Sequence, residues 1–252
     1  MRLTVVGCSG SVAGPESPAS CYLVEADGRR LVLDLGNGAL GVLQRHVDLD
    51  EVDAVLLSHL HPDHCVDLCS FYVAQRYRPG GRRPRIPVWG PAGTAERMAR
   101  AYGLPTDPGM TGEFDFRTYQ EEAFDVGPFR VRVARVVHPV TAYALRVEHA
   151  GRALVYSGDT APTPALVEVA AGADLFVCEA SFRDGEENPD GLHLTGRQAG
   201  EHAKAAEVGA LVVTHVPPWG DTERARSEAA QAFDGPIAGA RSGLVVDVGA
   251  GR

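Results

Sequence analysis

Cysteines and long apolar runs are the two features that this sequence has least of. It holds 5 cysteines in 252 residues, an odd number without the spacing of a disulfide framework. Reduced thiols in the cytoplasm are the expected state of such cysteines. No apolar run is long enough to span a membrane. The segment Met1–Val6 predicts a strand, because Gly7 ends the apolar run too early for a signal peptide. Neither a secreted disulfide scaffold nor a membrane protein is expected.

Positive charge is also scarce, since 24 Lys and Arg stand against 33 Asp and Glu for a net charge of −9. Binding along a nucleic-acid backbone needs clustered Lys and Arg, so a general nucleic-acid-binding protein is not expected. One Pro/Gly-rich loop, residues 76–85, is nevertheless basic. Its arginines are Arg76, Arg78, Arg82, Arg83 and Arg85. A solvated loop is the favoured interpretation, and a phosphate-attracting rim over an active site is the alternative.

Length and patterning favour an α/β protein. With 44% hydrophobic residues, a chain of this length can bury a large core, and one domain over residues 1–252 is expected. Short apolar segments that predict strands alternate with segments that predict helices. The predicted strands are Leu3–Gly7, Ser20–Glu25, Arg30–Asp34, Val52–Leu57, Phe114–Gln120, Phe129–Val137, Tyr143–Val147, Ala153–Tyr156, Ala173–Cys178, Ala210–Thr214, Leu244–Val248 and, followed by a turn, Ile86–Pro91.

The most informative stretch is residues 58–67, where four potential metal ligands fall within six consecutive positions: His59, His61, Asp63 and His64. A predicted strand precedes them, and a segment that can form a helix follows. The ligands therefore lie at the carboxyl end of a strand, where open α/β sheets place their sites.

The spacing of these four residues suits two metal ions. His59 and His61 are two positions apart, so on extended backbone their side chains point the same way. Pro62 suits the turn into a helix, and on a first helical turn Asp63 and His64 diverge by roughly 100°. One pair can face one metal while the other pair faces a second. Imidazole and carboxylate together are a zinc-type or manganese-type ligand set. The full string disfavours a merely solvated histidine-rich turn.

The string resembles the signature of the metallo-β-lactamase fold superfamily. That resemblance implies a four-layer αββα sandwich with a two-metal site along one edge, and further ligands after later strands. His138, Asp159 and His215 each follow a predicted strand and resemble those ligands. The resemblance implies two divalent ions, zinc or alternatively manganese. The implied ligands are His59, His61 and His138 for one ion and Asp63, His64 and His215 for the other, with Asp159 as the bridge.

Two further segments are similar to the ribonuclease Z branch of that superfamily. They are Glu179-Ala180-Ser181-Phe182 and the His-x-Thr string of His193 and Thr195, which opens a predicted helix. This string characterises phosphodiesterases rather than lactamases, thioesterases or lactonases. The alternative interpretation makes His193 a mere neighbour of a helix cap, with Thr195 as the N-cap.

The resemblance also implies a mechanism. Two bound metals lower the pKa of a water from about 15.7 toward about 7. Asp63 orients the nucleophile and accepts its proton, and His193 protonates the departing oxygen or stabilises it. Ligand histidines need a partner for their second ring nitrogen, which Asp34 or Asp67 supplies. The small-residue loop Cys8–Pro15 is either a tight turn or the counterpart of the Gly-rich first loop of ribonuclease Z-like members, which it resembles.

The chain departs from ribonuclease Z in one respect, because the long basic arm that grips tRNA has no counterpart here. The remaining pattern resembles the atypical cyclic-nucleotide phosphodiesterases of actinobacteria, whose substrate is cyclic AMP. A small anionic phosphodiester, with no membrane or nucleic-acid partner, is therefore the expected substrate. The alternatives are a tRNA 3′-end endonuclease, a thioesterase or lactonase, and a non-catalytic scaffold. The scaffold is disfavoured because no ligand is missing. A homodimer is left open.

Overall fold

The computed structural model describes residues 1–81 and 83–249, and within them two mixed β-sheets pack face to face. The first sheet contains β1 (Arg2–Gly7), β2 (Cys21–Ala26), β3 (Arg29–Leu33), β4 (Ala54–Leu56), β5 (Ile86–Gly90), β6 (Phe114–Thr118) and β14 (Val245–Asp247). The second contains β7 (Phe124–Val126), β8 (Phe129–Arg135), β9 (Tyr143–His149), β10 (Arg152–Tyr156), β11 (Leu175–Glu179), β12 (Leu211–Thr214) and β13 (Ile237–Gly239).

The two sheets share one pairing pattern. In the first, of order β14-β1-β2-β3-β4-β5-β6, strands are antiparallel as far as β3 and parallel from there on. In the second, of order β7-β8-β9-β10-β11-β12-β13, strands are antiparallel as far as β10 and parallel beyond it. The carboxyl ends of β8, β10, β11 and β12 therefore lie at one edge of the second sheet.

Helices cover the outer face of each sheet. Among the described residues they are α1 (Ala39–Leu43), α2 (Pro62–Cys65), α3 (Leu68–Tyr77), α4 (Thr94–Tyr102), α5 (Pro164–Ala170), α6 (Gly196–Ala205) and α7 (Thr222–Ala229), with a 3₁₀ turn at Leu49–Glu51. Helices α1 to α4 pack on the first sheet, and α5 to α7 on the second. The predicted αββα fold is confirmed; that one domain spans residues 1–252 stays a prediction. Nowhere in the described chain is a helix long and apolar enough to cross a membrane.

Central strands are buried on both faces. Along β2, Tyr22 and Val24 point into the layer between the sheets, while Cys21 and Leu23 point toward the helices. Each fully buried apolar side chain contributes roughly 1.5–3 kcal/mol relative to exposure. This two-sided burial explains why the strands are near-continuous apolar runs in the sequence.

The predicted strands agree with the structure in number and order except at two places. The three-residue strands β7 and β13 were not expected, because such short segments carry too few residues to show a period of two. The last helix, α7, begins at Thr222 and ends at Ala229. The chain then turns through Gly235 and Pro236, which end helices readily, into β13.

The basic loop at residues 76–85 lies at the end of the first sheet opposite to the histidine cluster. Arg76 donates to Glu113 at 2.8 Å, and Arg83 donates to Asp50 at 2.8 Å. Asp50 precedes β4 and Glu113 precedes β6, so both mark the amino ends of parallel strands. The alternative of a phosphate-attracting rim over the site is therefore wrong, and the loop is a salt-bridged surface. Arg82 lies outside the described residues.

Candidate metal centre

The histidine string occupies the turn between β4 and α2. Backbone at His61 is extended (φ −70°, ψ 149°), and Pro62 opens the first turn of α2. Extended backbone from His59 to His61 turns both imidazoles to the same side, while the helical turn at Asp63 and His64 directs the next two side chains to a neighbouring position. Local geometry therefore divides the four residues into two pairs, as the spacing predicts.

The structure brings all seven predicted ligands together in two overlapping sets. The first set is His59, His61, His138 and Asp159; the second is Asp63, His64, Asp159 and His215. Within each set the ligand atoms lie within 4.8 Å of one another. Imidazole nitrogens in the first set approach closely, since His61 Nδ1 is 3.1 Å from both His59 Nε2 and His138 Nε2. The cluster is compatible with a dinuclear metal site.

Asp159 belongs to both sets, with one oxygen in each. Its Oδ2 atom lies 3.7 Å from His59 Nε2, and its Oδ1 atom lies 3.2 Å from His64 Nε2 and 3.4 Å from His215 Nε2. Oδ1 is buried yet accepts no well-formed hydrogen bond from the described residues. A buried carboxylate oxygen without a partner is costly, and a bound cation would satisfy it. The unsatisfied Oδ1 atom is the observation in this structure that supports a dinuclear metal site here.

The charge states of the cluster also suit metal ions. Burial lowers the pKa of His59, His61 and His138, which favours the neutral imidazoles that metals require. Burial opposes charge on His64 too, but the carboxylates of Asp159 and Asp34 outweigh it and raise the pKa of His64. The second set therefore favours a positive charge at its centre.

Asp63 and Asp159 are held as carboxylates. Burial acts against ionisation of Asp63, but the hydrogen bonds from His215 and His64 outweigh it and lower the pKa of Asp63. Asp63 Oδ2 lies 3.3 Å from His215 Nε2 and 3.4 Å from His64 Nε2. Burial likewise opposes charge on Asp159, yet the surrounding imidazoles hold its pKa well below its usual range.

A fully buried carboxylate supports the second set from behind. Asp34 Oδ2 lies 2.7 Å from His64 Nδ1, at the edge of the ring that points away from the cluster. The same oxygen accepts hydrogen bonds from Ser58 Oγ at 2.7 Å and Tyr156 OH at 2.8 Å. The Oδ1 atom of Asp34 accepts from Ser58 N at 2.6 Å. Asp34 thus sets the orientation of the His64 ring. Asp67, the other residue considered for this role, accepts from the backbone N–H of Leu40 at 2.9 Å instead.

Three other ligand histidines are supported by hydroxyl or carbonyl oxygens, which the sequence did not reveal. His59 Nδ1 lies 3.1 Å from Ser58 Oγ, His138 Nδ1 lies 2.9 Å from the Leu192 carbonyl, and His215 Nδ1 lies 3.1 Å from Ser181 Oγ. Each of these contacts leaves the opposite ring nitrogen directed at the cluster. In His61, the Nδ1 atom faces the cluster. Fixing the second nitrogen sets both the tautomer and the ring orientation.

Two close backbone approaches require glycine beside the cluster. Gly158 has φ +58°, and an added Cβ would meet Ser58 Cβ at 2.9 Å, so the backbone before Asp159 lies close to Ser58. A Cβ on Gly10 would meet the His215 carbonyl oxygen at 2.2 Å. The Cys8–Pro15 loop also receives a hydrogen bond from His215 N, at the Cys8 carbonyl. This loop is therefore a backbone support for His215.

His193 lies beside both ligand sets. Its ring centroid is 5.6 Å from that of His138 and 5.5 Å from that of His215. Its Nδ1 atom lies 2.8 Å from Glu179 Oε1, so its Nε2 atom points away from Glu179. Burial favours the neutral ring, but the Glu179 carboxylate outweighs it and raises the pKa of His193 to about 9. A proton is therefore held at this position.

Glu179 is the functional residue whose role the sequence did not predict. It is fully buried at the carboxyl end of β11 and also accepts from Thr160 N at 2.8 Å, Ser181 N at 3.2 Å and Leu194 N at 3.3 Å. With both oxygens engaged, Glu179 is better suited to orient His193 than to ligate a metal. Its position in a segment similar to ribonuclease Z was the available signal. Thr195 is the N-cap of α6, the role that the alternative interpretation gave it, through a hydrogen bond from Gln198 N.

Comparison with known proteins agrees with this geometry. Residues 29–216 match a family model described as the Beta-lactamase superfamily domain. An uncharacterized protein of Mycobacterium leprae is 45% identical, with 98% of this chain and 89% of that protein covered. The probable metallo-hydrolase YhfI of Bacillus subtilis is 29% identical over 97% of this chain and 99% of its own length.

Solved structures and curated enzymes extend the comparison. The crystal structure of YhfI, a metallo-beta-lactamase fold protein, superimposes with a TM-score of 0.87 at 28% identity, covering 98% of this chain and 99% of that chain. Ribonuclease Z of Mycobacterium bovis is 30% identical, with 94% of each protein covered. From the family match, these relatives and the clustered ligands, we conclude that this chain belongs to the β-lactamase superfamily and is a metal-dependent hydrolase.

Proposed function

We propose that the protein is a phosphodiesterase that hydrolyses a small phosphodiester, with a cyclic nucleotide such as cyclic AMP as its leading substrate. One observation carries the proposal: Glu179 Oε1 lies 2.8 Å from Nδ1 of His193 and fixes this imidazole directly beside the cluster of predicted ligands. Cleaving a phosphodiester expels a poor alkoxide leaving group, which needs a proton. A thioester expels a thiolate, which leaves more easily and has less need of such an acid, so the pair favours phosphodiester over thioester chemistry.

The seven clustered residues are the proposed ligands of two divalent ions, zinc or manganese by donor type. Such ions would neutralise the phosphoryl oxygens and supply an acidic water at neutral pH. Asp63 is ionised and lies at the edge of the second set, where it can orient the nucleophile and take up its proton. Proton acceptance and proton donation are thereby assigned to separate residues, Asp63 and His193.

Substrate size is proposed from the absence of a binding arm and from the charge. Among the described residues, the one markedly basic loop, around Arg76 and Arg83, lies at the far end of the first sheet and is neutralised by Glu113 and Asp50. With a net charge of −9, the protein offers little to a polynucleotide backbone. We therefore expect neither a nucleic-acid nor a membrane partner. The five free thiols suit a cytoplasmic location, and a homodimer is left open.

A tRNA 3′-processing endonuclease is the second candidate, because a protein named ribonuclease Z is 30% identical over 94% of this chain. The two candidates share the proposed chemistry and differ in what lies outside the cluster. Cleavage of a precursor tRNA, measured on a gel beside hydrolysis of cyclic AMP, separates them. Efficient tRNA cleavage without activity on cyclic nucleotides would replace the first candidate with the second.

The test of the first candidate is His193→Ala. The variant should keep its metal content and fold, and its turnover of a diester with a poor leaving group should fall by roughly 10²–10⁴, the contribution of a positioned general acid. A smaller loss is expected with bis-p-nitrophenyl phosphate, because p-nitrophenolate leaves without a proton. Equal losses on both substrates with lowered thermal stability would make His193 structural and remove the main support for the proposal.

A further inference from the structure

A cavity of about 260 Å³ opens beside the cluster, between the loop after β11 and the loop after β12. Two of its wall residues also contact the proposed machinery. Ser181 Oγ donates to the His215 carbonyl at 2.8 Å, and the Phe182 ring packs edge-on against His193 with centroids 5.1 Å apart. A molecule in this cavity would therefore lie within reach of a group bound at the cluster.

The cavity has an exposed indole on its wall. Trp219 is 65% exposed, in a chain with only 2 tryptophans. It follows Pro217 and Pro218 in a turn closed by a hydrogen bond of 2.7 Å from Gly220 N to the Pro217 carbonyl. Arg183 fastens the same turn by donating to the Trp219 carbonyl at 3.0 Å. The indole is thus held ready on a rigid turn, which lowers the entropy cost of binding against it.

The charges of the cavity disfavour an anionic occupant. Its ionisable side chains are two arginines and three carboxylates: Arg183, Arg224, Glu186, Asp221 and Glu228. Arg224 is occupied by Glu228 at 2.8 Å and by Glu186 at 3.1 Å, so neither its charge nor its donors are free for a phosphate. A neutral, planar group with hydrogen-bonding edges fits this lining better than a second phosphate.

We infer that this cavity receives the nucleobase of a nucleotide substrate, stacked on Trp219, while the phosphodiester lies at the metal centre. The inference rests on the phosphodiesterase proposal for its reaction and adds the place where the base of a nucleotide substrate binds. Stacking of a base on an aromatic side chain is tolerant of base identity, because every base has a π-face. Trp219 is then a specificity-determining residue that selects for a base.

The test compares cyclic AMP with a base-free analogue, a methyl riboside 3′,5′-cyclic phosphate, on the metal-loaded enzyme. The quantity measured is the ratio of kcat/KM for cyclic AMP to kcat/KM for the analogue. Trp219→Ala should lower this ratio by about 10- to 100-fold, the usual effect of removing a stacking partner. Trp219→Phe should retain most of it. Tyr77→Ala, which removes an equally exposed aromatic ring from the salt-bridged far loop, should leave the ratio unchanged.

Two outcomes overturn the inference while the phosphodiesterase proposal stands: a ratio that Trp219→Ala does not change, or an equal fall in Tyr77→Ala. If no diester is hydrolysed, the phosphodiesterase proposal fails, and a binding measurement then tests whether the cavity receives a base. AMP is titrated while the intrinsic tryptophan fluorescence is recorded. A saturable change in the wild type that is lost in Trp219→Phe supports a base-binding cavity, whereas the lack of such a change overturns it.

Discussion

The two ligand sets share Asp159 but differ in burial and charge. In the set of His59, His61 and His138, two of the three histidines are half-buried, and Asp159 is the one carboxylate. In the set of Asp63, His64 and His215, every member is buried, a second carboxylate is present, and Asp34 stands behind His64. The first position is therefore open and has one carboxylate, and the second is enclosed and has two.

This difference indicates a division of labour between the positions. An enclosed position with two carboxylates should hold a dication tightly, because the anionic ligands offset its desolvation in a medium that screens weakly. An open position lined by neutral imidazoles should exchange its ion more readily and leave room for a substrate oxygen. We therefore expect the two positions to lose their ions one after the other, the open first position before the enclosed second position.

The largest effect is expected from Asp159→Ala, which removes the residue that both sets share. Metal content should fall at both positions, and turnover should drop by roughly 10³-fold or more, because charge stabilisation at both positions is lost together. Elemental analysis and kinetics on a diester measure the two effects. Asp115→Ala, which removes an exposed carboxylate from β6, is the control and should change neither. Retention of both ions in Asp159→Ala would refute the bridging assignment.

A smaller and asymmetric effect is expected from the pair His138→Ala and His215→Ala. Each variant should bind one ion, since each loses a ligand from one set only. The ion that remains in His138→Ala occupies the enclosed position, where charged ligands hold it. Removing it should need a chelator concentration about 10-fold or more above the concentration that removes the ion remaining in His215→Ala. Competition with chelators of graded affinity measures this. Equal resistance in the two variants would mean that the positions do not differ as described.

The smallest effect is expected from Asp34→Asn, which weakens the support of His64 without touching the cluster. Asparagine tolerates the left-handed backbone at this position, where φ is +58°, so the fold should persist. Metal affinity at the enclosed position should fall about 10- to 100-fold, with the open position unaffected. Asp67→Asn is the matched control, because the Asp67 carboxylate accepts a hydrogen bond from Leu40 N instead of supporting His64. A comparable loss in both variants would count against a specific role for Asp34.

Local spacing explains why the histidine string could be interpreted from the sequence. Two residues on extended backbone and two on a helical turn face predictable directions, so His59, His61, Asp63 and His64 required no tertiary information. The distant members, His138 and His215, were identified through the resemblance to the superfamily, which implies further ligands after later strands, and each of them follows an apolar strand.

Contacts across loops could not be predicted in this way. Glu179 and His193 are 14 residues apart, and their hydrogen bond depends on how the connecting loop folds back over the sheet. The same limitation left Asp34 and Asp67 as equal candidates; in the structure Asp34 contacts His64 Nδ1, whereas Asp67 accepts from Leu40 N. It also left the placement of Arg76 open, because a charged loop shows its composition but not which end of the sheet it occupies.

The cluster draws its side chains from both sheets, with His59 to His64 following β4 and Asp159 and His215 following strands of the other. An ion bound there would therefore add a cross-link between two layers that also meet through apolar contacts, backbone hydrogen bonds such as that from His215 N to the Cys8 carbonyl, and the ion pair of His149 with Asp27. By mass action, such an ion stabilises the docked arrangement over any separated one. The same residues would then both hold the two sheets together and form the reaction centre. Loss of metal would therefore loosen the contact between the sheets at the edge where substrate must bind.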